Sequence, residues 1–297
     1  MFTEAQAFSP VSGADGSGPV EVALAADHPG VADPAYRARR NAIAALAVDY
    51  RRGDPVPHAD YTDEEHEVWR TVVRELAPKH ATYAAREFLD AVQEVGLPTD
   101  RIPQLDEVSD KVSRLTGFRY EPVAGLASLR HFYGSIGDGY FLSTQYIRHH
   151  SVPLYTPEPD VVHEVLGHAH TLAVPALAEV YRAAGKAAQR VETPAALEFL
   201  SKVFWFSLEF GVVWQGQELR AYGAGILSSY GEIEEFRGAD VRDLDVAQMG
   251  VQTYDITHYQ PILFAGRSTT HLVDTLGGFF STYDDETPAR LGAVAAA

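Results

Sequence analysis

Apolar residues recur at intervals of three and four through the first third of the chain, the spacing of amphipathic helices that must pack a face on a core. Val68, Trp69, Val72, Val73 and Leu76 follow this spacing behind Thr62 and Glu65, whose offset is that of a capping box. A second stretch through Phe88, Leu89, Val92 and Val95 stops at Gly96, and a third through Val108, Val112 and Leu115 stops at Gly117, where a left-handed cap suits glycine. Upstream, PAYRARRNAIAALAVDYRR reads as a helix that begins at Pro34 and is closed by Gly53 and Pro55.

Short β-rich runs follow at FRYEPVA (118–124) and YFLSTQYI (140–147). The proline-punctuated SVPLYTPEPD cannot be regular structure. Helical patterns resume at VVHEVLG, ALAEVYRAAGKAA, AALEFLSKVFWFSLEFGVVW and HLVDTLGGFFSTY, with mixed segments between them. Neither an internal repeat nor a linker is visible after Pro34. The expected architecture is therefore one α+β domain, mainly helical, over residues 34–297. A flexible arm, residues 1–33, rich in Gly, Pro, Ser, Ala and Asp, precedes it and at most drapes over the core.

Charge and composition narrow the function. Lys and Arg number 24 against 41 Asp and Glu, a net charge of −17, which repels phosphate backbones and anionic lipid heads. Neither nucleic acid nor a membrane is an expected partner; a small neutral or zwitterionic molecule is. The chain has no cysteine, which removes disulfides, thiolate metal sites and a cysteine nucleophile together. Any metal must be held by histidines and carboxylates. With no apolar run of about 18 residues and no basic, signal-like N-terminus, the expected compartment is the cytoplasm.

His163 and His168 bracket Glu164 in HEVLGH, directly after the proline loop. Their i, i+5 spacing differs from the i, i+4 of zinc proteases and would place the rings about 140° apart on an ideal α-helix. Gly167 can loosen the helix and let His168 turn back toward His163. Spacing alone leaves two readings open: half of a metal site, or two hydrogen-bonded core histidines. Glu209, a carboxylate among Phe206, Leu208 and Phe210, is the candidate third ligand. Two histidines and one carboxylate without a thiol suit non-haem Fe(II). Arg148 reads either as a structural ion pair or as a bidentate clamp on a substrate carboxylate. His149, His150, His170 and His258 read as surface or core residues, and the cluster Phe204, Trp205, Phe206 and Phe210 as core more readily than as pocket.

The blocks STQYIRH, YTPEPD, HEVLGH, WFSLEFG and AYGAGILSSYGE, in this order, resemble the catalytic core of the tetrahydropterin-dependent aromatic amino acid hydroxylases. With IPQLDEVS, RYEPVAGLASLRHF and DYTDEEHEVWRTV upstream, the resemblance spans about residues 60–280. It implies Fe(II) held by His163, His168 and Glu209, a tetrahydropterin (tetrahydrobiopterin or a relative) that supplies two electrons, and O₂ as co-substrate. It further implies that Phe132 stacks on the pterin and that the backbone from Gly125 through Ala127 to Leu129 hydrogen-bonds its ring. Glu164 is implied to lie beside pterin and iron as a catalytic group that is not a ligand. Arg148, Thr156 and Ser228 match positions around the substrate carboxylate, and Trp205 matches an aromatic wall of the substrate pocket.

Leu129, His131 and Leu142 depart from the animal members. With no regulatory domain before the core and no long heptad helix after it, the chain resembles the compact bacterial phenylalanine hydroxylases, which implies a monomer. Trp205 is more like the phenylalanine and tyrosine enzymes than the tryptophan enzymes, and Leu142 and Ile256 suggest an apolar pocket. The expected reaction is para-hydroxylation of free L-phenylalanine to L-tyrosine. The alternatives are meta-hydroxylation, tyrosine or tryptophan as substrate in a biosynthetic pathway, and a non-catalytic metal-binding homologue.

Overall fold

The computed structural model describes residues 11–12, 20–24, 26, 28–125, 127–256 and 258–292. Helix α1 (Pro34–Ala45) begins at the expected proline because the Asp33 side chain accepts the amides of Ala35 and Tyr36. It ends well short of Gly53. Past Ile43 and Ala44 no buried residue remains to hold a helical face on the core, so the chain leaves the helix in turns.

Helix α2 (Asp63–Tyr83) opens on the expected capping box, with the Glu65 amide 3.2 Å from Thr62 Oγ1 and the Thr62 amide 2.7 Å from Glu65 Oε2. Helices α3 (Arg86–Val95) and α4 (Leu105–Thr116) end at Gly96 and Gly117, whose φ of 55° and 84° are the left-handed values expected there.

In the arm, β1 (Val11–Ser12) pairs antiparallel with β2 (Glu21–Val22). Val22 is buried with Ile43, Ala44, Ala59 and Tyr146, and its amide donates to Asn41 Oδ1 at 2.9 Å. His28 is buried 3.4 Å from Glu158. Val22 and His28 thus lie against the folded domain; residues 1–10, 13–19, 25 and 27 lie outside the described residues.

Strands β3 (Arg119–Pro122) and β4 (Tyr140–Ser143) pair in parallel, connected through α5 (Leu129–Gly137). From residue 144 to residue 160 the chain carries no helix or strand, as its prolines dictate. A π-helical segment, His163–Ala169, then runs into α6 (His170–Ala173), and α7 (Pro175–Arg190) packs against α5. Helix α8 (Pro194–Phe204) continues into a second π-helical segment, Trp205–Glu209. The single helix expected across this region stops there, because Val212, Val213 and Trp214 favour the extended chain and form β5 (Val212–Gln215).

Strand β6 (Glu218–Ala221), helices α9 (Ala224–Ser228) and α10 (Glu232–Glu235), strand β7 (Asp240–Asp243), helix α11 (Val246–Val251), strand β8 (Ile262–Gly266) and helix α12 (Thr269–Thr282) follow. The four later strands form a sheet in the order β6-β5-β8-β7, antiparallel only between β5 and β6. One apolar cluster runs from Val68 to Tyr283 and includes Leu172, Tyr181, Phe204 and Phe264. The fold is α+β and mainly helical, as expected, and no described helix is long and apolar enough to cross a membrane.

Candidate metal centre

The two π-helical segments deliver the three candidate ligands. A turn closed by i→i+5 hydrogen bonds is wider than an α-turn, so residues five apart come round toward one face. His163 and His168 therefore converge where an α-helix would splay them, and the Phe210 amide bonded to the Trp205 carbonyl at 2.8 Å closes the same wide turn around Glu209.

The helix is loosened at Gly167, as expected, but does not end there. Gly167 has no left-handed φ; a Cβ there would lie 2.7 Å from the Ala224 carbonyl oxygen and 3.1 Å from the Ala224 Cβ. Its lack of a side chain lets the π segment lie flush on α9, and the helical widening itself turns His168 inward.

His168 Nε2 lies 3.1 Å from His163 Nε2 and 3.3 Å from Glu209 Oε1, and His163 Nε2 lies 3.7 Å from Glu209 Oε2. Among the described residues these three form the one group of histidine and carboxylate atoms close enough to share a metal ion.

On the far side of each ring lies a hydroxyl placed to accept an Nδ1 proton while donating to a carbonyl: Ser228 Oγ, near the Gly225 carbonyl, is 2.9 Å from His163 Nδ1, and Tyr181 Oη, near the Leu208 carbonyl, is 3.1 Å from His168 Nδ1. With both Nδ1 atoms protonated, both Nε2 lone pairs face the carboxylate. Three acceptors directed at one point repel unless a cation lies between them, so the donor set fits a divalent metal. Burial, with His168 alongside, pushes His163 down to about 4 and keeps it a neutral ligand. Burial raises Glu209, but a proton on the facing nitrogen of His168 or His163 outweighs it and holds the carboxylate below its usual range.

Glu164 is buried beside this set, and its carboxylate meets no hydrogen-bond donor among the described residues. Burial, reinforced by Glu209 and Asp160, pushes it well above the usual glutamate range. Phe132, half-buried on α5, packs 5.6 Å from Phe141, which in turn covers the His168 ring at 4.4 Å. Gly125 is buried and Ala127 and Leu129 are half-buried; residue 126, within the stretch expected to bind the pterin, lies outside the described residues.

Arg148 is buried, with Nε and Nη2 each 2.9 Å from the Asp160 carboxylate. Thr156 Oγ1 donates to the Glu158 carbonyl at 3.0 Å. Trp205 is half-buried and stacks on Tyr254 with centroids 4.3 Å apart and planes within 9°. Leu142 is buried, whereas Ile256 is 40% exposed. The histidines set aside earlier lie apart from the ligand group: His149 bonds Ser151, and His170 bonds the Leu166 carbonyl.

Sequence reasoning missed Asp160, Tyr181, Phe141, Tyr254 and Gln260. Asp160 carried a legible signal, since an Asp three residues before His163 at a helix start is a capping pattern, and its Oδ1 accepts the His163 amide at 3.2 Å. Tyr181 carried none, because only the fold of α7 brings it to His168.

The sequence pattern of the biopterin-dependent aromatic amino acid hydroxylase family matches residues 18–291. A phenylalanine 3-hydroxylase of Streptomyces coeruleorubidus is 46% identical over 264 residues, which cover 89% of this chain and 95% of that protein. A phenylalanine-4-hydroxylase of Bos taurus is 41% identical over 265 residues; the match covers 87% of this chain and 58% of the bovine length. The cobalt-bound crystal structure of Chromobacterium violaceum phenylalanine hydroxylase superposes with a TM-score of 0.75 at 26% identity, covering 81% of this chain and 87% of that one. Fold, ligand set and sequence agree: the chain belongs to the biopterin-dependent aromatic amino acid hydroxylases, a family that works with Fe(II), a tetrahydropterin and O₂.

Proposed function

We propose that this protein hydroxylates the aromatic ring of free L-phenylalanine, with Fe(II) on His163, His168 and Glu209. The observation that carries the reading is the convergence of two imidazoles and a carboxylate on one point, with Glu209 on the π-helical segment that begins at Trp205 and Trp205 stacked on Tyr254. Iron, tetrahydropterin and O₂ together supply the oxygen atom and two electrons. The chain's own residues supply position and exclusion of water. Phe132 would offer a half-buried face for the pterin ring, the backbone of Gly125, Ala127 and Leu129 would hydrogen-bond it, and Glu164 would lie near both pterin and metal. Arg148, steadied by Asp160, presents the rest of its guanidinium to the substrate carboxylate, with Thr156 and Ser228 around it. Trp205 bounds the substrate ring, and buried Leu142 offers no hydrogen-bond partner to a phenol.

Para-hydroxylation to L-tyrosine is the first reading. The meta position is the second, and the Streptomyces relative, matched over nearly its whole length, supports it. A small rotation of the ring decides which carbon meets the oxidant. The test is a turnover assay with phenylalanine, tyrosine and tryptophan, with products separated as para- and meta-tyrosine. A tyrosine isomer coupled to pterin oxidation is the expected result; faster turnover of tryptophan would overturn the substrate. His163→Ala and His168→Ala should lose iron while retaining the helical circular dichroism, and full iron content in either would overturn the metal assignment. The chain is proposed to act as a monomer, which sedimentation tests.

A further inference from the structure

Gln260 is buried, and its backbone amide and both ends of its side-chain amide are engaged. Its amide donates to Glu232 Oε1 at 2.8 Å. Its side-chain Nε2 donates to the carbonyls of Asp255 and His258 at 2.9 and 3.0 Å, and its Oε1 accepts the Trp205 indole N–H at 3.1 Å. Two carbonyls on one side oblige the amide nitrogen to face them, so the oxygen must face the indole.

Tyr254, in the same segment, stacks on the indole. A stack fixes the plane of an indole but not which edge faces outward, since a half-turn about Cβ–Cγ keeps the plane and exchanges the N–H edge. The hydrogen bond that Trp205 donates to Gln260 selects one of these orientations and ties the segment carrying Tyr254 to the end of α8. Glu232, buried at the start of α10, anchors the backbone from the opposite side.

We infer that Gln260 is a positioning residue for ring selectivity: it fixes the orientation of Trp205 and joins Trp205 and Tyr254 into one rigid wall. The inference rests on Trp205 bounding the substrate ring, as proposed above. A rigid wall discriminates by shape, whereas a wall free to turn yields to a larger ring.

The test compares wild type, Gln260→Met, Trp205→Phe and the double variant as iron-loaded enzymes, using the ratio of kcat/KM for phenylalanine to that for tryptophan. Near-ultraviolet circular dichroism, which senses the Trp205–Tyr254 stack without turnover, is recorded on each. Gln260→Met should lower the ratio roughly threefold to tenfold, the worth of one buried neutral hydrogen bond, with iron content unchanged and the near-ultraviolet band altered. In the Trp205→Phe background, which has no indole N–H, it should change the ratio no further.

A ratio unmoved by Gln260→Met, or an equal additional shift in the Trp205→Phe background, would overturn the inference while leaving the pocket reading intact. A ratio unmoved by Trp205→Phe itself would overturn both. Should Gln260→Met fail to fold, Gln260→Asn, an amide one methylene too short to reach the indole, carries the same comparison.

Discussion

Arg148 and Asp160 are joined by three hydrogen bonds: the Arg148 amide and Nε reach Oδ2 at 2.8 and 2.9 Å, and Nη2 reaches Oδ1 at 2.9 Å. The same carboxylate accepts the His163 amide. Asp160 thus links the proposed substrate anchor to the first of the proposed metal ligands. Burial works to raise its carboxyl, but Arg148 prevails and holds it below the usual aspartate range.

Asp160→Asn should accordingly cost about 3–5 kcal/mol, because it leaves the Arg148 charge buried without compensation. Urea unfolding measures this, and a loss under about 1 kcal/mol would show that the pair is replaceable. The lowered aspartate value means that the pair's contribution is fully present above the usual aspartate range and is lost as pH falls through the lower folded-state value.

Ser228→Ala and Tyr181→Phe each remove the acceptor that orients one ligand ring. Apparent iron affinity should fall by roughly tenfold to a hundredfold in each, with little change in secondary structure. Competition with a calibrated chelator reads the affinity; wild-type retention in both variants would mean that the rings hold their tautomers unaided.

Gly167→Ala places a methyl against the Ala224 carbonyl, where backbone must shift to admit it. A loss of about 1–3 kcal/mol is expected from overpacking, together with weaker iron binding as the π segment lifts from α9. A hinge role would predict the opposite balance, with little loss of stability, and thermal denaturation beside metal analysis separates the two.

Glu232 is pushed up to about 7 by burial, only partly offset by the Gln260 amide. Its folded-state preference is for the protonated form, so its stabilisation is complete below the usual glutamate range and is lost as pH rises to about 7. Glu232→Gln keeps an acceptor for Gln260 and carries no charge. The variant should match wild type near pH 4.5 and exceed it by about 3 kcal/mol at pH 8. Parallel stability curves across that span would refute the assignment.

Much of this was legible in local chemistry. The Thr62–Glu65 box, the stops at Gly96 and Gly117, and the start at Pro34 depend on neighbours a few residues away, which a sequence displays directly. The candidate ligands were legible as types, since a cysteine-free chain leaves histidines and carboxylates, and HEVLGH and the apolar surroundings of Glu209 point to His163, His168 and Glu209. Their geometry was not. A π turn is recorded in backbone hydrogen bonds rather than in residue type, so the loosening expected at Gly167 gave no sign of extending over the whole segment. Tyr181 and Gln260 were invisible because each reaches its partner across the fold, His168 from α7 and Trp205 from the segment after α11.

An i→i+5 turn holds one residue more than the α-turn it replaces, so each of the two π segments is a length defect of a single residue within an otherwise ordinary helix. Deleting one residue between His163 and His168 would give the i, i+4 spacing that a regular helix needs to aim both rings at one ion. The deletion would also rotate everything downstream by about 100° and swing Tyr181 away from the ring it orients. The register of α7, and with it the packing on α5, is therefore tied to the extra residue, and the candidate metal site can be neither lengthened nor shortened without re-threading the centre of the domain.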